Sequence, residues 1–328
     1  MLKFNSILQD ELSEFMTLRE ASKSESTFSH DKQMLRSLDE YLCTIACDNK
    51  NLTEGQVMGW MHTLAGNTQT IENKVTFIRI FLKQLVSYSI HSYIPPVPKV
   101  HDDYVAYIFS ETELDRIFHD ADGLVKIYNT HKNTLIHVEV PMILRLMYGC
   151  GLRIGETMSL KMEDVDLSTG VLTLKNTKGD KQRLVPMHHS LTGILEHYCM
   201  AMGIVGYPKS YLFPTADPLK PVTPTNARRI FNNLLGLAGI ALPGRKRNQR
   251  GPCLHCLRHV FVFKAFSNAE KDGRRIDDIV PYLSIYLGHA GLRETEKYLR
   301  FSSELFPEAM DLFGKYTAQI FPEVNYDE

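Results

Sequence analysis

No apolar run in this 328-residue chain reaches the roughly 18 residues that a membrane span requires. The opening stretch, MLKFNSILQDELSEF, carries acids where a secretory signal has its apolar core, so no export is expected. Six cysteines are too few for a disulfide framework, and thiols in a reducing cytoplasm are the expectation. Cys43 and Cys47, four apart, are expected on one helix as small apolar packing groups. Internal repeats and low-complexity tracts are missing, and strand signal is confined to one segment. What is left is an ordinary globular composition with length enough for two domains.

Net charge is also nearly absent: 37 Lys and Arg against 38 Asp and Glu leave −1. That total argues against a polyanionic partner until its distribution is read. Residues 1–95 hold 9 basic and 11 acidic side chains, residues 209–300 hold 16 and 7, and residues 301–328 hold 1 and 6. A polyanion feels the local block of +9 more than the sum.

Residues 1–94 predict a helical domain. LQDELSEFMTLREA, SHDKQMLRSLDEYLCTIA, TEGQVMGWMHTL and TIENKVTFIRIFLKQLVSYS each space apolar residues three and four apart. Ser29, Thr53 and the stretch Asn67 to Thr70 are expected helix starts. The last of these helices carries Lys74, Arg79 and Lys83, either a solvated face or a face toward a polyanion. IPPVPKV, with three prolines, opens a linker over 95–108. A second domain over 109–302 follows, opening with a capping box from Ser110 to Glu113. HVEVPMILRLMYGCGLRIGETMSL predicts a long apolar helix broken at Gly149 to Gly151. VDLSTGVLTLKNTKGDKQRLVPM alternates around a KGDK turn and predicts a β-hairpin. The expected class is therefore mainly α with a small β element, ending in a tail over 303–328.

The chemistry concentrates late in the chain. Arg153 stands in CGLRIGE, His255 and Arg258 share one helix face at i, i+3, and His289 precedes Tyr298 by nine residues. Two arginines, two histidines and a tyrosine can cradle a phosphate and attack it. Taken singly, each has a blander explanation: a surface cation, a chance pair, a packed ring. Cys253, His255, Cys256 and His259 also fall within seven residues, a soft-ligand set that suggests zinc. No second spaced pair follows, and no metal is expected. The basic loop Arg245, Lys246, Arg247 and Arg250 directly precedes the HxxR helix, where it is either a solvated turn or a phosphate-backbone contact.

The order of motifs, an arginine in GLRxGE, a lysine in a β-turn, HxxR, LGH and then tyrosine, resembles the tyrosine recombinase (phage integrase) family. The resembling stretches are YGCGLRIGETMSL, NTKGDKQRLVPM, HCLRHVF and YLGHAGLRETEKYLRF, within about 105–302. The resemblance extends more loosely to residues 1–94, which look like the family's helical core-binding domain, beside a mixed, mostly helical catalytic domain. It implies a site-specific DNA recombinase or integrase that cleaves and rejoins DNA through a 3′-phosphotyrosine, without metal, cofactor or ATP.

In that scheme Tyr298 is the nucleophile. Arg153 and Arg258 clamp the scissile phosphate, because a guanidinium fork matches two phosphate oxygens and keeps its charge. His255 is the first choice as proton acceptor, and His289 bonds the phosphate. Lys178 matches the family's general acid, with Lys181 as its rival. Glu156 either orients Arg153 or is an acid at a helix start, and His259 is a supporting or packing residue. The expected partners are double-stranded DNA, gripped from both sides, and three further copies in a tetramer, with room for accessory DNA-bending proteins and no membrane. The first helix begins almost at once, so no additional arm-binding domain is expected. The apolar tail is expected to dock either on its own domain or on a neighbour. A type IB topoisomerase-like relaxase and a non-cutting DNA-binding relative are the alternatives.

Overall fold

The computed structural model describes residues 3–100, 106–127, 134–175, 182–240, 251–289, 291–296 and 298. The chain divides into two compact units, residues 1–103 and 104–328. Among the described residues helix dominates, accompanied by one three-stranded antiparallel sheet, as the periodicities predict. No described helix is long and apolar enough to cross a membrane.

The first unit holds α1 (Gln9–Ser22), α2 (Glu25–Thr44), α3 (Glu54–His62) and α4 (Thr68–Ser87). Residues three and four apart make one buried face on each. Leu8, Leu12 and Phe15 do so at α1, and Ile78, Phe81, Leu82 and Leu85 at α4. They enclose Trp60 of α3, whose indole N–H donates to Ser37 Oγ at 3.3 Å. Each such burial contributes about 1.5–3 kcal/mol. Thr53 and Gln56 form a reciprocal capping box, and Asn67 accepts from the Thr70 amide at 2.8 Å.

Two expectations fail here. Helix α2 starts at Glu25 rather than at Ser29, because Ser24 caps it and Phe28 can then rest on the core. Cys47 is not on a helix with Cys43. Helix α2 stops at Thr44, Ala46 turns to a φ of 48°, and the Cys47 thiol donates to the Asn49 carbonyl. Cys43 is exposed.

The second unit is built around α6 (Thr134–Cys150), whose Ile143, Leu144, Leu146 and Met147 are all fully buried. A helix buried over most of its circumference must be surrounded. The surrounding elements include α5 (Glu111–Ile127), α8 (His189–Ala201), α9 (Pro224–Leu237) and α10 (His255–Lys271). The predicted capping box opens α5, with the Ser110 amide donating to Glu113 Oε2 at 2.8 Å.

After α6 the chain turns through Gly151, at a φ of 61°, where a Cβ would come within 2.5 Å of the Phe261 ring. Only glycine fits both conditions. Short α7 (Ile154–Ser159) follows, then β1 (Val165–Asp166), β2 (Val171–Leu174) and β3 (Arg183–Pro186) in that order across the sheet. Leu172 pairs with Val185, both buried, while Leu184 faces outward. The KGDK turn lies outside the described residues. Finally α11 (Ile276–Leu287) packs on α10 around a smaller core of Val262, Phe266, Val280, Leu283, Leu287 and Tyr298, and short α12 (Leu292–Glu296) lies against α11.

Candidate active site

Arg153 sits at the N-cap of α7, delivered there by the Gly151 turn. Its amide donates to Glu156 Oε2 at 2.9 Å and its Nη1 to Glu156 Oε1 at 2.8 Å. Glu156 thus closes the helix start and holds the guanidinium in place at once. The same carboxylate takes a bidentate pair from Arg183 of β3, at 3.0 and 2.9 Å, and lies 3.9 Å from Arg258. Burial alone would raise the Glu156 carboxyl, but hydrogen bonds from Arg183 and Arg153 outweigh it and hold the group below its ordinary value. Three guanidinium groups therefore share one carboxylate. The formal excess of two positive charges in a partly buried place is suited to an oxyanion.

Arg258 is fully buried, one turn into α10 from His255. It donates to the Gly151 carbonyl at 2.6 Å, to the Leu287 carbonyl at 3.0 Å and to His289 Nε2 at 3.0 Å. One side chain thus ties the α6–α7 turn, the end of α11 and a histidine. Its buried Nε has no hydrogen-bond partner. Burial and the Arg153 charge lower the guanidinium, opposed by Tyr298 and Glu156.

Gly288 caps α11 at a φ of 64° and turns the chain into His289. Arg258 donates to His289 Nε2, so the ring proton belongs on Nδ1, 2.6 Å from Thr295 Oγ1. Tyr298 is buried, its ring stacked at 16° on His289 with centroids 6.0 Å apart. His259 also packs near it, with ring centroids 5.1 Å from Tyr298 and 4.7 Å from His255. Desolvation, then the Arg258 and Arg153 charges, push His255 down to about 4 and His289 to about 3. His259 falls to about 3 through burial and its neighbours His255 and Arg258. All three imidazoles are neutral near pH 7. His255 keeps an exposed edge, whereas both His289 nitrogens are occupied.

Arg153, Glu156, His255, Arg258, His259, His289 and Tyr298 thus come together. Lys178, Lys181 and the loop cations Arg245, Lys246, Arg247 and Arg250 lie outside the described residues. In the first unit Lys74 donates to the Ala65 carbonyl, Arg79 to the Pro95 carbonyl, and Lys83 is exposed. Sequence reasoning missed Arg183 and Thr295. The run of cations through and after the KGDK turn was the available signal for Arg183. Thr295 had none beyond its place between His289 and Tyr298. Among the described residues no group of three or more His, Cys, Asp or Glu side chains could hold a metal ion.

The model of the phage integrase family matches residues 118–304, more than half of the chain and all of this constellation. The chain belongs to the phage integrase family, as a tyrosine-type site-specific recombinase. This recombinase is 31% identical over 253 residues to y4rB of Sinorhizobium fredii, named as an integrase/recombinase, covering 72% of this chain and 76% of that one. Against the tyrosine recombinase XerC of Staphylococcus carnosus identity is 28% over 243 residues, 72% of each chain. The recombinase also shares its fold with the Tn1549 transposon integrase solved in complex with circular intermediate DNA. The TM-score is 0.64 at 15% identity, over 94% of this chain and 99% of that one.

Proposed function

We propose that this recombinase cuts and reseals DNA through a covalent 3′-phosphotyrosine formed on Tyr298. The Tyr298 oxygen attacks the scissile phosphorus, and the bond from phosphorus to the 5′ oxygen breaks. The phenol proton passes to His255, a neutral imidazole with an open edge. The departing 5′ oxygen takes a proton from Lys178, a role that rests on the family resemblance. Arg153 and Arg258 bind the non-bridging oxygens, whose charge grows as the pentacoordinate state forms. When the phosphate takes Arg258 away from His289, the ring proton shifts to Nε2 and bonds the same phosphate, while Nδ1 accepts from the Thr295 hydroxyl, which can donate or accept. Attack by the 5′ hydroxyl of another strand reverses every step, so the bond energy is kept and no ATP is needed.

The observation carrying this reading is the stacking of Tyr298 on His289 beside Arg258, within an arginine cluster that has one shared carboxylate. Residues 1–94 act as a core-binding domain whose Lys74, Arg79 and Lys83 face DNA. The loop cations Arg245, Lys246, Arg247 and Arg250 contact phosphates. Four copies assemble on two sites, the 303–328 tail docking between them.

A suicide duplex, nicked so that the 5′ fragment diffuses away, tests the chemistry. Wild type is expected to accumulate a covalent protein–DNA adduct, and Tyr298→Phe none while retaining DNA binding. An adduct of undiminished yield with the phenylalanine variant would remove Tyr298 as nucleophile.

A further inference from the structure

We propose that Cys253 and Cys256 form a reversible disulfide whose closure withdraws the intervening His255 from reaction. The inference rests on the strand-cleavage role given to His255 above. The two sulfurs are 3.6 Å apart. The Cys256 amide donates to the Cys253 carbonyl at 2.9 Å, closing a turn whose first and fourth Cα atoms stay within about 7 Å. Disulfides span Cα separations of about 4.4–6.8 Å, with sulfurs about 2.05 Å apart. The backbone already suits a bridge, and an approach of about 1.5 Å by the sulfurs completes it.

The two thiols differ in a way that sets the order of events. Cys253 is exposed, whereas Cys256 is fully buried in the core with Leu254 and Leu257. Cys253 is therefore the thiol that a small disulfide in solution can reach. The hydrogen bond with Cys253, together with burial, pushes the Cys256 thiol up, so it stays protonated until Cys253 has reacted. The oxidant is a low-molecular-weight disulfide such as oxidised glutathione. Cys253 thiolate attacks one of its sulfurs, forming a mixed disulfide and expelling one thiolate. Cys256 then loses its proton and attacks the Cys253 sulfur, expelling the second. Two protein thiols become one disulfide, and the oxidant leaves as two thiols that carry the two protons.

Closure moves the exposed partner, because Cys256 is fixed by the core around it. With Leu254 and Cys256 both anchored in the core, closure re-aims the backbone between them and with it the His255 ring. A misplacement of about 1 Å at a reacting group can cost about 10²-fold in rate.

Full-length protein is reduced or equilibrated with oxidised glutathione, then divided three ways. Peptide mapping without reductant is expected to recover a Cys253–Cys256 cross-link. Imidazole resonances of His255 are expected to shift between the two forms. Adduct formation on the suicide duplex is expected to fall about 10²-fold on oxidation and to recover with dithiothreitol. Cys253→Ser should show none of these responses. Absence of the cross-link overturns the proposal, as does a cross-link that leaves the His255 signals and the adduct rate unchanged. A reduced protein that forms no adduct would sink the strand-cleavage role instead. The cross-link and the imidazole shift then still decide the switch.

Discussion

Glu139 on α6 is fully buried, and neither of its carboxylate oxygens has a hydrogen-bond partner. Burial raises its carboxyl to about 8, so the folded protein keeps it neutral where an unfolded chain ionises it. Such a group costs the fold little while both states are protonated. As pH rises from the ordinary carboxyl value through about 8, stability is lost, because the folded state binds the extra proton. Glu139→Gln is therefore expected to melt progressively higher than wild type as pH goes from about 5 to about 9. The gap should grow to the order of a few kcal/mol. Thermal melts at several pH values check this, and a gap independent of pH would refute it. At the candidate site the balance is reversed. Glu156 is also buried, yet Arg183 and Arg153 bond it from two elements and it stays ionised.

Arg183 ties three elements together. From β3 it donates through Nε to the Tyr286 carbonyl on α11, and through both terminal nitrogens to Glu156 on α7. The sheet is thereby locked to the helix that ends at Gly288 and to the helix that begins at Arg153. Gly288 is both the left-handed cap of α11 and the gap that admits Arg183. A Cβ there would stand 2.6 Å from Arg183 Nη1, which its carboxylate partner holds in place. Gly288→Ala is accordingly expected to lose about 1–3 kcal/mol of stability from backbone strain and crowding. It should also slow adduct formation by more than the stability loss explains, since Arg183, Glu156 and His289 move with it. Denaturant unfolding beside single-turnover cleavage separates the two effects. Full cleavage by a destabilised variant would show that this lock has no part in the chemistry.

At the scale of the whole molecule, a charge of −1 conceals a basic block and an acidic tail. If the block binds DNA as proposed, each neutralised phosphate releases counterions. Affinity for duplex DNA should then fall steeply, by about 10³-fold or more, between about 50 and 200 mM salt. Gel shifts or fluorescence anisotropy across that range provide the measurement. An affinity that barely changes would remove the electrostatic part of the function. The two compact units bury separate cores, one around Trp60 and one around α6.

Helix faces, the caps at Thr53, Asn67 and Ser110, the strand alternation and the order of GLRIGE, HCLR, LGH and Tyr298 could all be read from residue order. Each depends on side chains a few positions apart, which local periodicity brings together whatever the rest of the chain does. The start of α2 and the place of Cys47 escaped, because a core contact through Phe28 and a left-handed Ala46 overrode local preference. Folding alone decided the partners of the clustered arginines. Arg258 meets carbonyls 107 and 29 residues away, and Arg183 meets Glu156 at a separation of 27. Such pairings follow from how α6, α10, α11 and the sheet pack in three dimensions, and no spacing along the chain encodes that distance.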